Sequence, residues 1–179
     1  CSYAEPPVGQ ADIKEEIKMK TMMEPARELP VVSETDVVVI GGGVGGIMAA
    51  LGAARGGAKT TLIERLAILG GTATAGLMTS FNGFRNEHKP DHIQTVKGYA
   101  QELVDRLIAV GGACGCTAHG NFGTLAVGSC PYAVSFDSEA LKLVALEMLT
   151  EAGVELMFHE TFSGSLCSGR RIDAVVIEG

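Results

Sequence analysis

Residues Asp36 to Gly46 read DVVVIGGGVGG, an apolar run that gives way to five glycines among six residues. Val37 to Ile40 is continuous and β-branched, short enough for a strand and apolar enough to be buried on both faces, the pattern of a central strand in a parallel sheet. In the following IMAALGAARGGA, Ile47, Ala50, Leu51 and Ala54 recur at i, i+3, i+4 and i+7. That spacing predicts a helix that begins within the glycines and stops near Gly56 and Gly57. KTTLIE, from Lys59 to Glu64, reads as a second strand. Strand, tight turn, helix and strand in that order form a right-handed βαβ unit.

Each glycine has a physical task in such a unit. The spacing Gly41-x-Gly43-x-x-Gly46 fits the dinucleotide fingerprint. Gly41 allows the tight turn out of the strand, Gly43 lets a pyrophosphate approach the backbone without a Cβ in the way, and Gly46 lets the helix pack closely on the sheet. Gly45 belongs to the same turn. The helix N-terminus presents unpaired N–H groups and a partial positive charge to phosphates. Glu64 closes the second strand about 20 residues downstream, where a carboxylate accepts both hydroxyl hydrogens of an adenosine ribose and repels a 2′-phosphate, which disfavours NADP. Glycine makes up 24 of 179 residues, so the spacing alone is weak; the alternative is a glycine-rich turn followed by a solvent-exposed glutamate. The strand before the motif and the helix after it raise the nucleotide reading.

Composition narrows the class. With 46% hydrophobic residues, 179 residues can bury a core. A formal charge of −7 argues against a protein that holds a nucleic-acid backbone by broad attraction. No apolar run reaches the length of about 18 residues that a membrane-spanning helix needs. The first residue is Cys1, followed by Ser2. That start fits a processed precursor, an expression remnant or a fragment. The expectation is a cytoplasmic protein; the alternative is a bacterial cell-envelope lipoprotein anchored through Cys1. Residues 1–34, rich in proline and carrying DIKEEIKMK, read as a flexible or extended arm, with a short helix from Asp12 to Met23 conceivable on the spacing of Ile13, Ile17 and Lys20.

Further along, Tyr99, Leu103, Leu107 and Val110 share one face of a helix from Gly98 to Val110. Asp137 caps a helix running to Ala152 with Leu141, Val144, Ala145 and Met148 inward, and Gly153 ends it. VELMF is a third buried strand, and ETFSGSLCSGRRIDAVVIE folds as a hairpin around Ser168-Gly169. Thr72 to Lys97 and Gly111 to Ser135 carry no assignable element. The expected fold is α/β, a Rossmann-like domain with a mainly parallel sheet and an antiparallel β-hairpin, incomplete in this chain.

The run that continues from Glu64, ERLAILGGTATAG, bears on the ligand. An acidic residue followed by Arg65, then the Gly70-Gly71 pair and a small-residue loop, resembles the second phosphate-contacting motif of glutathione-reductase-like flavoproteins. Within them the chain is most similar to the FAD-dependent oxidoreductase family. GYAQELVDRLIAVGGA and FDSEALKLVALEMLTEAGVEL extend the likeness. The resemblance implies FAD as cofactor, with Gly41, Gly43, Gly45 and Gly46 facing the pyrophosphate and Glu64 the adenosine ribose. Arg65 would lie along the adenosine end, Gly70, Gly71 and Thr72 near the phosphates, Thr74 to Gly76 on the path toward the flavin, and the backbone near Thr161 against the adenine. Arg65 also reads as a solvated surface charge. Residues 35–179 then form the N-terminal portion of an FAD-binding domain. Family members run longer and return to the sheet with a further cofactor-contacting strand, so a second chain or a missing C-terminal portion is expected to complete the site.

The implied activity is hydride transfer between a small-molecule substrate and the flavin. The alternatives are a nucleotide-binding module without turnover, or a subunit of a larger flavoprotein, and an NAD-linked dehydrogenase. No catalytic residue is assigned. Arg85 and His88 have the chemistry to bind an acidic substrate or move a proton, yet equally read as a charged surface loop. His92, His119 and His159 have no evident partner. Cys114 and Cys116 form a C-x-C that is a poor match to flavoenzyme redox pairs, and with His119 they fall short of a metal set; idle thiols are the plainer reading.

Overall fold

Val37–Ile40 forms the first strand (β1), and parallel to it runs β2, Thr60–Glu64, with Val37 opposite Thr60 and Ile40 opposite Ile63. On the other side of β2 lies β6, Glu155–Phe158, also parallel, with Glu64 opposite Phe158. The order is β1-β2-β6, so TTLIE takes the centre, all five of its residues buried. Among the described strands DVVVI is flanking, and its residues are half-buried or exposed where the run predicts burial on both faces. Among the described residues β1 pairs on one side only, and its Ile40 is 49% exposed. An apolar run reports what a strand's faces can tolerate, while pairing decides its position. VELMF is likewise a half-buried flanking strand and not a buried one.

The computed structural model describes residues 20–23, 25–84, 93–117 and 133–179, with the side chains of 114–117 left aside. The chain divides into two units, Cys1–Val32 and Ser33–Gly179. In the first, the described residues are exposed and have no regular structure, and the conceivable helix at Asp12 lies largely outside them. All other elements belong to the second.

Helix α1, Val44–Arg55, returns the chain from β1 to β2 and buries Ile47, Ala50 and Leu51 as the spacing predicts. Helices α2, Tyr99–Ala109, and α3, Ser138–Glu151, complete the layer. Val39, Leu62 and Leu156 are register partners across the three parallel strands, so they share a face. All three join one cluster with Ile47 and Leu51 of α1, Leu107 of α2 and Met148 of α3. The helices therefore cover that face, and each fully buried Leu or Met there contributes about 1.5–3 kcal/mol. Asp137 caps α3, its carboxylate accepting from Glu139 N at 2.7 Å, and Gly153 ends the helix at φ +75°.

The unassigned stretches hold a second sheet. Two residues, Ser80–Phe81 (β3), pair antiparallel with β5, Ala133–Phe136, which pairs in turn with β4, Ala113–Thr117. The Phe81 and Phe136 rings meet at 4.3 Å between centroids. Val104 of α2 is buried with Phe84 and Val134 against this sheet, while Tyr99 and Val110 are exposed. The buried face of α2 is thus Leu103, Val104 and Leu107, rotated from the expected one because the helix serves two apolar clusters. Strands β7, Thr161–Ser168, and β8, Arg171–Glu178, form the expected antiparallel hairpin, largely exposed.

Charge ties the helices together at one end. Arg55 of α1 donates from both guanidinium nitrogens to Glu102 of α2, at 2.5 and 2.9 Å, and lies 5.0 Å over the Tyr99 ring. Arg106 of α2 bonds Glu151 of α3 at 2.7 and 2.9 Å and Glu102 at 3.0 Å. Among the described residues no helix is long and apolar enough to cross a membrane.

Candidate nucleotide-binding site

The carboxyl ends of β1 and β2 carry the two glycine turns. Gly41 leaves β1 at φ +97°, a conformation that favours glycine, and its N–H still bonds Ile63 O at 2.8 Å. Gly43 stands at the N-cap of α1 in extended conformation. The first turn of α1 has neither a side-chain cap nor an acidic residue, so its leading N–H groups have no side chain to satisfy them. A Cβ added at Gly41, Gly43 or Gly45 would meet no atom within 4 Å, so open space lies against the backbone there. At Gly46 a Cβ would overlap the Gly41 carbonyl oxygen, and Val39 lies just beyond. Gly46 is the packing glycine, and the other three border a cradle of a kind that suits an anion.

Glu64 is only 7% exposed, and both carboxylate oxygens are engaged. Oε2 accepts from Gly42 N at 2.6 Å and Oε1 from Leu66 N at 2.8 Å. The Gly42 carbonyl accepts in turn from Gly70 N at 2.7 Å, and Gly43 and Gly70 form an isolated parallel bridge. A Cβ on Gly71 would stand 3.1 Å from Gly43 Cα. The two glycine turns therefore lie backbone against backbone. The constraint falls on Gly71, whose Cβ would press on the Gly43 backbone, while a Cβ on Gly43 would point into open space.

The small-residue loop folds on itself. Thr74 is buried, and its hydroxyl donates to Leu69 O at 2.6 Å. Gly76 N bonds Gly71 O at 3.2 Å, and Met78 N bonds Thr72 O at 3.1 Å, leaving the Thr72 residue exposed. Leu77 follows at φ +53°, rare for a leucine, and is exposed. Arg65 is exposed. Thr161 opens β7 beside the end of β2, where Glu160 N donates to Glu64 O at 3.2 Å.

The structure thus brings Gly41, Gly43, Gly45, Gly46, Glu64, Gly70, Gly71 and the start of β7 to one edge of the parallel sheet. Sequence reasoning missed Gly42 and Leu69. A Cβ on Gly42 would lie 2.7 Å from Leu69 Cδ2 and 3.2 Å from Glu64 Oε2. The available signal was the middle one of three consecutive glycines, placed where the fingerprint asks for none. Cys1, Arg85, His88, His92, His119 and Cys130 lie outside the described residues. Cys114 and Cys116 place their backbone in β4. His159 sits exposed at φ +63° between β6 and β7, and Cys167 is an exposed free thiol on β7. Among the described residues no cluster of three or more His, Cys, Asp or Glu is arranged to hold a metal.

Comparison with known proteins agrees with this geometry. Leghemoglobin reductase of Glycine max is 64% identical over 39 residues, 22% of this chain and 8% of the relative. Mitochondrial dihydrolipoyl dehydrogenase of Caenorhabditis elegans is 44% identical over 64 residues, 35% of this chain and 13% of that enzyme. The chain matches only a small share of such relatives. Among solved structures, L-proline dehydrogenase from P. horikoshii superposes with a TM-score of 0.55 at 15% identity, covering 80% of this chain and 49% of that one, a likeness of fold. The family model described as FAD dependent oxidoreductase matches residues 36–179. With the paired glycine turns, the uncapped helix and the buried Glu64 all inside that span, the chain belongs to the FAD dependent oxidoreductase family.

Proposed function

We propose that residues 35–179 hold the adenosine diphosphate part of FAD, the family's cofactor, within a flavoprotein that transfers hydride between a small-molecule substrate and the flavin. The observation that carries this reading is the open, uncapped N-terminus of α1 standing beside a buried carboxylate at the end of β2. The N–H groups of the first turn of α1, freed of side chains at Gly43, Gly45 and Gly46, bind the diphosphate, with Gly70, Gly71 and Thr72 on its other side. Glu64 accepts the ribose hydroxyls, Arg65 and the backbone at Thr161 flank the adenosine, and the loop from Thr74 to Gly76 leads toward the ring. FAD, when bound, supplies the redox chemistry, and the protein supplies position and environment. Among the described residues β1 pairs on one side only, which supports completion of the sheet, and of the ring end of the site, by a strand from residues beyond this segment or from a second chain.

The test uses the full-length protein. We expect it to purify yellow, to bleach anaerobically with its substrate and, once stripped, to gain about 2.7 kcal/mol of stability at FAD a hundredfold above Kd. A colourless protein that FAD does not stabilise would sink the reading. Stabilisation by NAD alone would replace it with an NAD-linked dehydrogenase.

A further inference from the structure

The Gly42 peptide is engaged at both ends before any ligand arrives. Its N–H donates to Glu64 Oε2 at 2.6 Å, and its carbonyl accepts from Gly70 N at 2.7 Å. The other oxygen of Glu64 holds Leu66 N at 2.8 Å, two residues into the loop that leads to Gly70. One buried side chain therefore bonds both the turn between β1 and α1 and the loop after β2. We propose that Glu64 is a latch that builds the cofactor site in advance, and that the Gly42 N–H is a donor to Glu64 and not to the diphosphate.

Two observations and one property of carboxylates support this. Burial of the carboxylate leaves little water to compete for the two amides, and an amide bond to a charged acceptor is stronger than one to a neutral group. A Cβ on Gly42 would crowd Leu69 Cδ2 at 2.7 Å and Glu64 Oε2 at 3.2 Å, so glycine lets the carboxylate approach without displacing either side chain. Each carboxylate oxygen can accept more than one hydrogen bond, so a ribose diol reaches free lone pairs without breaking the latch. That last point rests on the FAD reading proposed above; the latch itself does not. Replacing Glu64 by Gln leaves one carbonyl and one NH2 facing two N–H donors, so one of the two bonds is lost.

Residue-resolved amide hydrogen exchange on the full-length protein stripped of FAD, repeated after FAD is added, tests the latch. In the stripped wild type, Gly42 and Leu66 are expected to exchange slowly. In Glu64→Gln the rate at one or both rises at least about tenfold, while amides in the middle of α3 keep theirs. Added FAD slows exchange at Val44, Gly45 and Gly46 and leaves Gly42 as it was. A Gly42 amide that exchanges freely in the stripped wild type and slows only with FAD would overturn the latch, as would rates that Glu64→Gln leaves unchanged at both Gly42 and Leu66. If the variant does not fold, the stripped wild-type rates decide alone. Slow Gly42 exchange with no response to FAD at residues 44–46 upholds the latch and removes the FAD reading instead.

Discussion

Gly45 and Gly46 are neighbours in the first turn of α1, yet a methyl group meets open space at the first and the Gly41 carbonyl at the second. Gly45→Ala is therefore expected to leave the stripped protein within about 1 kcal/mol of wild type, since Ala is the better helix former. It should weaken FAD by at least about tenfold, or 1.4 kcal/mol, by placing a Cβ where the phosphate approaches. Gly46→Ala should lower stability by about 1–3 kcal/mol or more before FAD is considered, as overpacking does. Urea midpoints of the stripped proteins and FAD titration by fluorescence separate the two. Equal loss of stability in both variants would refute the division of labour. The packing role of Gly46 was legible in the sequence, because the fingerprint's spacing assigns it; the open space at Gly45 was not, because that spacing names Gly43 for the approach and skips Gly45. The role of Gly42 was not, because it depends on where the Glu64 side chain lands, and spacing does not encode a side-chain position.

The helices were read well where one periodicity faced one core, and less well elsewhere. α3 buries the expected Leu141, Val144, Ala145 and Met148 and carries its Asp137 cap. α2 turned because β5 and Phe84 offered Val104 a second apolar surface, supplied by segments too short to show a pattern; β3 is only two residues long. The charged end of the helix layer is open to a pH test. Hydrogen bonds from Arg55, and next the burial that partly opposes them, leave the Glu102 carboxyl below the usual range, and Arg106 does the same for Glu151. A folded-state value below the unfolded one of about 4.3 stabilises the protein above that pH, and the benefit disappears as pH falls through the folded value. We expect Glu102→Gln to lower stability by about 0.5–1 kcal/mol at pH 7, the range of partly exposed pairs. The difference from wild type should shrink below about pH 4 and in molar salt. Denaturation curves that show a constant difference from pH 7 to pH 3 would place the effect in packing and not in charge.

Across the whole molecule, the βαβ unit, the third parallel strand and the hairpin follow from patterns in the chain, while the strand order and the second sheet come from pairings between distant segments. The match over residues 36–179 shows that the glycine turns, the helix layer and the hairpin belong to one family pattern. Among the described residues β1 pairs on one side only. The doubly bonded Gly42 peptide also bears on rates. A turn already ordered has no slow step to complete when its ligand arrives. Uptake of FAD by the stripped protein then proceeds as one bimolecular event whose rate climbs in proportion to FAD concentration, without the plateau that a loop waiting to order would impose.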